Sequence, residues 1–482
     1  MNVKSIKTNS IMNTLKTFMS LVFPLITGPY ALRVLQVDNI GKYNYSYSII
    51  NFFVLFAGLG ISRYAGREGA RKREDREEFS IFASQMFTVN VISTLLVYII
   101  LFGLLMFSKK LEPYITIMLI QSITILGTTL GLEWVNIACE DYTYITIRTI
   151  CFQFISMLLL FACVRNEHDL LNYVWISVFS NIGANILNFI HIRKYVEIRL
   201  QLRGIRQHLV PIILLFASTI ASKIYVNADT VMLGLFCGDR SVGLYSVATR
   251  IYSIVQQLIA ASIVVTLPRL SNYWVHDKKK EIEETIQNCF ETFVTILLPI
   301  TIGLFALAPE AIEIFGGTTY AESATTLRIL CVSLLFSVFG IFYTNTILLP
   351  LKKEKEITII MIISATVNIV LNLFFVPCLE GNGAAITTVI SEVIVLGLQA
   401  YVVRKQVFIK WNTKFWQGIL CGVALIIISV FACSALINNM IIKVAVTVTL
   451  SFILYGVVLV VTKNSMVISV IRIIREKFGF LK

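Results

Sequence analysis

Apolar stretches long enough to cross a lipid bilayer recur along this sequence from end to end. A helical span needs about 20 mainly apolar residues, and the polar breaks between these stretches are too short to hold a soluble domain. Hydrophobicity and spacing predict fourteen helices, at 11–32, 40–62, 80–107, 114–137, 144–164, 170–190, 209–236, 244–267, 286–308, 324–350, 357–378, 384–403, 415–436 and 443–462. The sequence therefore predicts an all-α integral membrane protein.

Composition and charge agree with this prediction. Hydrophobic residues make up 57% of the chain and charged residues only 14%, against about 25% charged in a typical soluble domain. The net charge of +13 fits either nucleic-acid binding or the excess of Lys and Arg on the cytoplasmic side of a membrane protein. With the amino terminus inside, the inner segments carry 30 Lys and Arg and the outer segments six. This asymmetry predicts cytoplasmic termini and no nucleic-acid partner.

Motifs for catalysis or cofactor binding are missing from the sequence. The only Gly-Lys pair, Gly41-Lys42, lacks the rest of a phosphate-binding loop. The four histidines fall at or beyond the ends of predicted spans, and the nine cysteines form no CxxC pair. We therefore expect no enzyme activity, no metal and no cofactor.

Two short matches indicate an internal repeat. Ile40–Phe53 aligns with Val242–Val255 and pairs Gly41 with Gly243, at an offset of 202 residues. Tyr144–Ile150 resembles Glu356–Ile362 at an offset of 212. Both matches relate one span to the span six positions later, as in transporters built from parallel repeats. The expected domains are two six-helix lobes, 1–203 and 204–408, followed by an additional helix pair and a cytoplasmic tail, 409–482.

Five strings resemble those of the Wzx-type polysaccharide flippases, which belong to the superfamily that also contains the MATE drug exporters. They occur in order along the chain: FPLITGPYALRVLQVDNIGKYNYSYSI from Phe23, EWVNIACEDYTYITIR from Glu133, YVNADTVMLGLFCGDRSVGLYSVATRI from Tyr225, FGGTTYAES from Phe315 and NIVLNLFFVPCLEGNGAAITTVISE from Asn368. The resemblance extends over residues 11 to about 405 and implies a MATE-like bundle of two six-helix lobes. The final helix pair departs from the commoner twelve-span pattern.

The resemblance also implies a function, without a catalytic step. It implies a flippase that moves undecaprenyl-diphosphate-linked oligosaccharide repeat units from the cytoplasmic to the outer leaflet of the bacterial inner membrane by alternating access. The product would feed O-antigen or capsule assembly, with a polysaccharide polymerase and glycosyltransferases as partners. The main alternative is a MATE-like, cation-coupled drug exporter. A membrane polymerase or glycosyltransferase is a third class, but a polymerase would be expected to carry a longer outer loop than Pro309–Ser323.

Ionisable residues inside the predicted spans or at their edges are the candidate site residues, because burying each costs at least a few kcal/mol. The nine are Lys16, Arg33, Glu133, Lys223, Asp229, Arg250, Glu291, Arg328 and Glu392. Arginine stays charged away from water and binds phosphate through two parallel hydrogen bonds. We therefore expect a cationic cavity for a diphosphate, formed by Arg33, Lys223, Arg250 and Arg328 together with Asn227, one helical turn from Lys223.

Other roles for these residues stay open at the sequence level. Asp229 and Arg250 lie at matching depths and could form an ion pair, while Arg33 and Arg328 could extend towards the outer interface. Asp229, Glu291 and Glu392 are candidates either for ion pairing and helix packing or for coupling to protons or sodium. The sequence does not decide the coupling ion.

Overall fold

The computed structural model describes residues 6–404, 406, 409–464 and 466–467. Side chains are described from residue 8 onwards, except those of residues 217–219 and 221–226. The two chain ends, which are predicted to be cytoplasmic, lie outside the described residues. All regular secondary structure in the described ranges is helical, so the all-α prediction is confirmed.

The helices of the amino-terminal half are α1 to α8. Their bounds are Ile6–Gly58 (α1), Ile61–Lys72 (α2), Arg76–Phe107 (α3), Ile115–Gly131 (α4), Glu133–Ala138 (α5), Tyr142–Cys163 (α6), Leu170–His191 (α7) and Arg206–Phe236 (α8). The remaining helices are Asp239–Val264 (α9), Leu267–Val275 (α10), Lys279–Ala306 (α11), Ala308–Gly316 (α12), Ser323–Tyr343 (α13), Glu354–Val403 (α14), Thr413–Leu436 (α15) and Met440–Val461 (α16).

Two helices are too long to be single spans. At 1.5 Å per residue a span needs about 20 residues, whereas α1 has 53 residues and α14 has 50. Each is interrupted by one residue with a left-handed backbone, Gln36 (φ +64°) in α1 and Glu380 (φ +50°) in α14. The interruptions fall in the short breaks that the sequence placed between spans, so each long helix is a pair of spans.

Hydropathy of the described residues supports the span prediction. Eleven segments are long and apolar enough to cross a membrane. Two of them contain α1 and α14, which hold two predicted spans each, and α8 matches the seventh predicted span. Each of the fourteen predicted spans therefore has a helical counterpart.

The chain forms two compact units, residues 1–243 and 244–482. Helix α8, which the repeat assigns to the second lobe, belongs to the first unit in this division. In the second unit, α15 and α16 share the apolar core of α11 and α13. The Tyr455 hydroxyl donates to the Thr295 carbonyl at 2.8 Å, and Lys443 pairs with Glu310 at 2.5 Å. The last helix pair is thus an integral part of that unit.

Residues 197–203, here called the strap, run as extended chain along α3. Alternate backbone N–H groups donate to hydroxyls one helical turn apart: Glu197 to Ser80 at 3.0 Å, Arg199 to Ser84 at 3.0 Å and Gln201 to Thr88 at 2.8 Å. Two extended residues advance about 6.6 Å and four helical residues about 6 Å, so the two periods nearly match. Side-chain hydroxyls thereby satisfy strap backbone groups that have no strand neighbour.

Replacing Ser84 with Ala and Thr88 with Val together should release the strap. Each hydrogen bond contributes about 1 kcal/mol, so losing both raises the detached population about 10-fold or more. Trypsin cleavage after Arg199 and Arg203 should accelerate by a similar factor, since cleavage follows the open population. Thr94→Val is the control, because Thr94 bonds to Thr129 instead of the strap. Equal cleavage rates in the double variant and the control would contradict this account.

Candidate functional site

The predicted site residues of the first unit lie on α1 and α8. Arg33 comes three residues before the interruption of α1, and its side chain is exposed. Gln36, the interrupting residue, donates to the Arg33 carbonyl at 2.6 Å. On α8, Asn227 is half-buried and Asp229 is buried, with 7% exposure. Lys223 lies on the same helix, but its side chain is outside the described residues.

The predicted cations of the second unit have different surroundings. Arg250, on α9, is half-buried and has no hydrogen bond or ion pair with a described residue of its own unit. Arg328, on α13, donates from Nε to the Phe305 carbonyl at 3.4 Å and lies 5.9 Å from the Phe305 ring. Phe305 is in the last turn of α11, where carbonyls lack a helical partner and cations are favoured. Arg328 therefore stabilises the end of α11.

The two predicted carboxylates of the second unit are held among polar side chains. Glu291 is buried on α11 and accepts a hydrogen bond from Gln287 at 2.9 Å. Glu392, on α14, is half-buried and lies within electrostatic range of Tyr252. The Tyr252 hydroxyl donates to Ser337 at 3.1 Å and accepts from Gln256 at 3.0 Å. A polar contact thus links α9 to α13 beside Glu392.

Three charges that the sequence treated separately form one cluster in the first unit. Glu133 accepts from Lys16 at 2.7 Å with one carboxylate oxygen and from Arg148 at 2.8 Å with the other. Arg148 is one of the 30 Lys and Arg residues counted in the inner segments, but it is not a loop residue. Arg148 lies in the second turn of α6, and only 4% of its side chain is exposed. It is a buried member of an ion cluster, because α1, α5 and α6 meet at this point.

Asp141, just before α6, anchors the end of α7. Its Oδ2 atom accepts from His191 at 3.0 Å, Lys194 at 3.0 Å and the Tyr195 hydroxyl at 2.9 Å. Burial by itself would raise the pKa of this carboxyl group, but the three hydrogen bonds outweigh burial and hold its pKa well below the usual range. Asp141 therefore remains ionised and fixes α7 to the start of α6.

A cavity of about 290 Å³ lies in the first unit. Helices α1, α3, α4 and α7 supply most of its wall, and the start of α2 and the α4–α5 junction supply the rest. The polar and aromatic lining residues are Tyr47, Asn51, Ser62, Asn90, Thr124, Thr128, Glu133, Trp134, Asn181 and Asn185. Among the lining residues that the structure describes, only Glu133 is ionisable at neutral pH. We call this space the amide cavity.

Close packing of α4 on α7 positions one wall of the amide cavity. A Cβ atom at Gly127 would lie 3.0 Å from Nδ2 of Asn185, and one at Gly131 would lie 3.3 Å from its Oδ1. Two glycines four residues apart let membrane helices approach closely. On α7, Asn185 donates to Asn181 at 3.0 Å, and Asn188 donates to the Gly131 carbonyl. The glycine pair thus brings the asparagine face of α7 against α4.

Sequence reasoning missed the amide cavity because it searched spans for ionisable residues only. A signal was nevertheless present. Asn181, Asn185 and Asn188 are spaced i, i+4, i+7 and share one helix face. A polar stripe of this kind inside an apolar span indicates a cavity or a helix contact.

Apolar helices in two compact units, with charged and amide side chains inside them, define a multi-pass membrane protein. A family model described as "Polysaccharide biosynthesis protein" matches residues 6–274, more than half of the 482-residue chain. The chain belongs to this family, so the resemblance found in the sequence is confirmed. A second family model, described as MatE, matches residues 212–374.

Individual relatives are distant but match over most of their length. A "Putative O-antigen transporter" of Escherichia coli K12 is 22% identical over 408 residues, which cover 84% of this chain and 98% of the relative. Among solved structures, the lipid II flippase MurJ in an inward closed conformation matches with a TM-score of 0.76 and 15% identity, covering 93% of this chain and 99% of MurJ. An inward-facing MATE-family multidrug transporter matches with a TM-score of 0.65 and 14% identity, covering 83% of this chain and 98% of the transporter. These structures share the fold.

Proposed function

We propose that this protein is a flippase for lipid-linked oligosaccharides. Membership of the polysaccharide biosynthesis family carries the proposal, and the near full-length match to a putative O-antigen transporter supports it. The substrate would be an oligosaccharide repeat unit on undecaprenyl diphosphate, moved from the cytoplasmic to the outer leaflet of the bacterial inner membrane. Glycosyltransferases would supply it, a polymerase would use it in O-antigen or capsule assembly, and both termini would be cytoplasmic.

The embedded cations suit the head group of such a substrate. A diphosphate needs cations that stay ionised away from water, and Arg33, Lys223 and Arg250 all lie in helices that match predicted spans. Arg250 has no partner in its own unit among the described residues, which leaves its guanidinium available to an anion. Arg328 is already bound to the end of α11, so in this proposal its contribution is the smallest of the four. Asn227 would hydrogen-bond the same head group.

Transport in this direction needs no nucleotide hydrolysis by this chain. Moving about two negative charges outward across an inside-negative potential of about 100 mV releases roughly 4 to 5 kcal/mol. Glu392, Glu291 and Asp229 are the candidates for any coupling to protons or sodium. Glu392 is the first to test, because Tyr252 connects its surroundings to α13.

Neutralising the cations one at a time should reduce transport of the lipid-linked oligosaccharide. In cells that lack the gene, we expect this lipid to accumulate in the inner leaflet and the surface polymer to disappear. Expression of Lys223→Gln or Arg250→Gln should restore export at most to about a tenth of wild type, since a charge-assisted hydrogen bond contributes about 1.5 kcal/mol or more. Lys109→Gln, at an exposed position before α4, is the control. Extracted lipid, surface polymer and membrane-inserted protein are measured together.

Two results would contradict parts of this proposal. Normal export by both variants would exclude the cationic site. A deletion strain with normal lipid-linked oligosaccharide but increased sensitivity to cationic drugs would favour the alternative, a MATE-like cation-coupled exporter, which the MatE match over residues 212–374 supports.

A further inference from the structure

The amide cavity contains hydrogen-bonding groups that the protein itself does not use. The side chains of Tyr47, Asn51 and Ser62 make no hydrogen bond to any residue that the structure describes. Asn185 uses its amide N–H on Asn181, which leaves its own carbonyl oxygen and the Asn181 amide N–H available. Unused donors and acceptors therefore face one another across a small space.

These groups are accessible to a ligand. Tyr47, Ser62 and Asn181 are exposed, and Asn51 and Asn185 are half-buried. Most of the cavity wall comes from helices that match predicted spans. Asn90, by contrast, is paired with the carbonyl of Ala57 at 2.6 Å. The unpaired groups instead suit a polar occupant.

The charge of the cavity indicates that the occupant is neutral. Its one ionised lining residue, Glu133, is paired with both Lys16 and Arg148. The two cations more than compensate the carboxylate, so it does not attract a cationic drug. The lining residues that the structure describes include no cation for a phosphate.

Amide and aromatic groups together match the chemistry of a sugar ring. Asparagine both donates and accepts hydrogen bonds, as a sugar hydroxyl does. Tyr47 adds aromatic surface, and 38% of this residue is exposed. The volume of about 290 Å³ is at the lower end of ligand pockets, which begin near 300 Å³. It suits one monosaccharide.

We propose that the amide cavity is a subsite for one sugar residue of the transported lipid, with Asn51, Tyr47 and the Asn181–Asn185 pair binding its hydroxyls. The inference rests on the proposed flippase function and adds a site for the glycan, separate from the cations proposed for the diphosphate. It implies that the protein distinguishes a glycosylated carrier lipid from the bare carrier.

Equilibrium binding to two lipids tests this inference. The full-length protein in phosphatidylethanolamine–phosphatidylglycerol nanodiscs is titrated with undecaprenyl diphosphate and with the lipid-linked oligosaccharide extracted from the deletion strain. Wild type should bind the glycosylated lipid about 10-fold or more tightly than the bare lipid, as two or three hydrogen bonds would provide. Asn51→Leu and Tyr47→Phe should each reduce this ratio about 3- to 5-fold, with unchanged affinity for undecaprenyl diphosphate.

Asn51→Leu and Tyr47→Phe remove groups that have no hydrogen-bond partner in the described protein, so neither substitution should unfold it. Thermal unfolding of each variant checks this. Tyr98→Phe is the matched control, since Tyr98 lies on α3 outside the cavity lining and donates to the Ser122 carbonyl. Arg250→Gln should weaken binding of both lipids and leave their ratio intact. A wild type that does not distinguish the lipids, or variants that keep the wild-type ratio, would overturn the sugar subsite alone. Failure to bind either lipid would overturn the flippase proposal as well.

Discussion

Gly243→Ala should destabilise the protein by about 3 kcal/mol or more, the upper range for overpacking in a well-packed interior. Gly243, near the start of α9, lies directly on the α1 backbone, and a Cβ atom there would be 2.1 Å from the Val37 carbonyl oxygen. Because the obstacle is backbone, no side-chain rotation relieves the overlap, and the start of α9 must move away from α1. Gly41→Ala should have a similar effect, since its Cβ would lie 1.9 Å from the Asp239 carbonyl oxygen.

Thermal unfolding of the purified variants in detergent measures this effect. Gly303→Ala is the matched control, because a Cβ at this helical position meets nothing within 4 Å. That change should leave stability unchanged or raise it by up to about 1 kcal/mol through helix propensity. If Gly243→Ala and Gly303→Ala unfold at the same temperature, the close contact between α1 and the start of α9 does not exist.

Replacing Glu133 with Gln should cost about 1 to 3 kcal/mol, between the values for an exposed and a buried ion pair, because 35% of the Glu133 side chain is exposed. The change leaves Arg148 without its carboxylate, and this side chain is only 4% exposed. Lys16 is less affected, since 29% of its side chain is exposed. The effect should therefore come mainly from Arg148.

A double-mutant cycle isolates that contribution. Adding Arg148→Gln to Glu133→Gln removes the uncompensated charge and should recover much of the lost stability, measured as the free energy of unfolding in detergent. Glu283→Gln is the control, because its pair with Lys410 is exposed and such pairs contribute at most about 1 kcal/mol. Equal losses for Glu133→Gln and Glu283→Gln would show that the cluster is not buried.

Hydropathy predicted the spans well because bilayer thickness fixes both the length and the polarity of a crossing helix. It did not predict α2, because Arg63 to Lys72 falls in the charged break between the predicted spans 40–62 and 80–107. This segment is a helix whose Ile61 and Tyr64 are buried while its basic residues lie on other faces. The amphipathic pattern is short, and the density of charge obscured it.

The candidate site was only partly predictable, for two physical reasons. Contacts between residues far apart in the sequence cannot be predicted from a single sequence. Glu133 and Lys16, which form an ion pair, are 117 positions apart. Uncharged amides do not appear in a search for ionisable residues, so Asn51 and Asn185 were passed over although they are polar. The embedded cations Arg33, Lys223 and Arg250 were found because charge inside a span is conspicuous, and their role as a diphosphate site stays a prediction.

The glycine contact between α1 and the start of α9 also bears on the origin of the chain. Gly41 meets Asp239 and Gly243 meets Val37. Gly243 lies 202 positions after Gly41, and Asp239 lies 202 positions after Val37. If each residue is exchanged for its counterpart 202 positions away, the contact of Gly41 with Asp239 therefore becomes the contact of Gly243 with Val37. Two identical subunits make contacts of this reciprocal kind across a two-fold axis. Duplication and fusion of a gene whose product once paired with itself through this helix would leave such a contact within a single polypeptide.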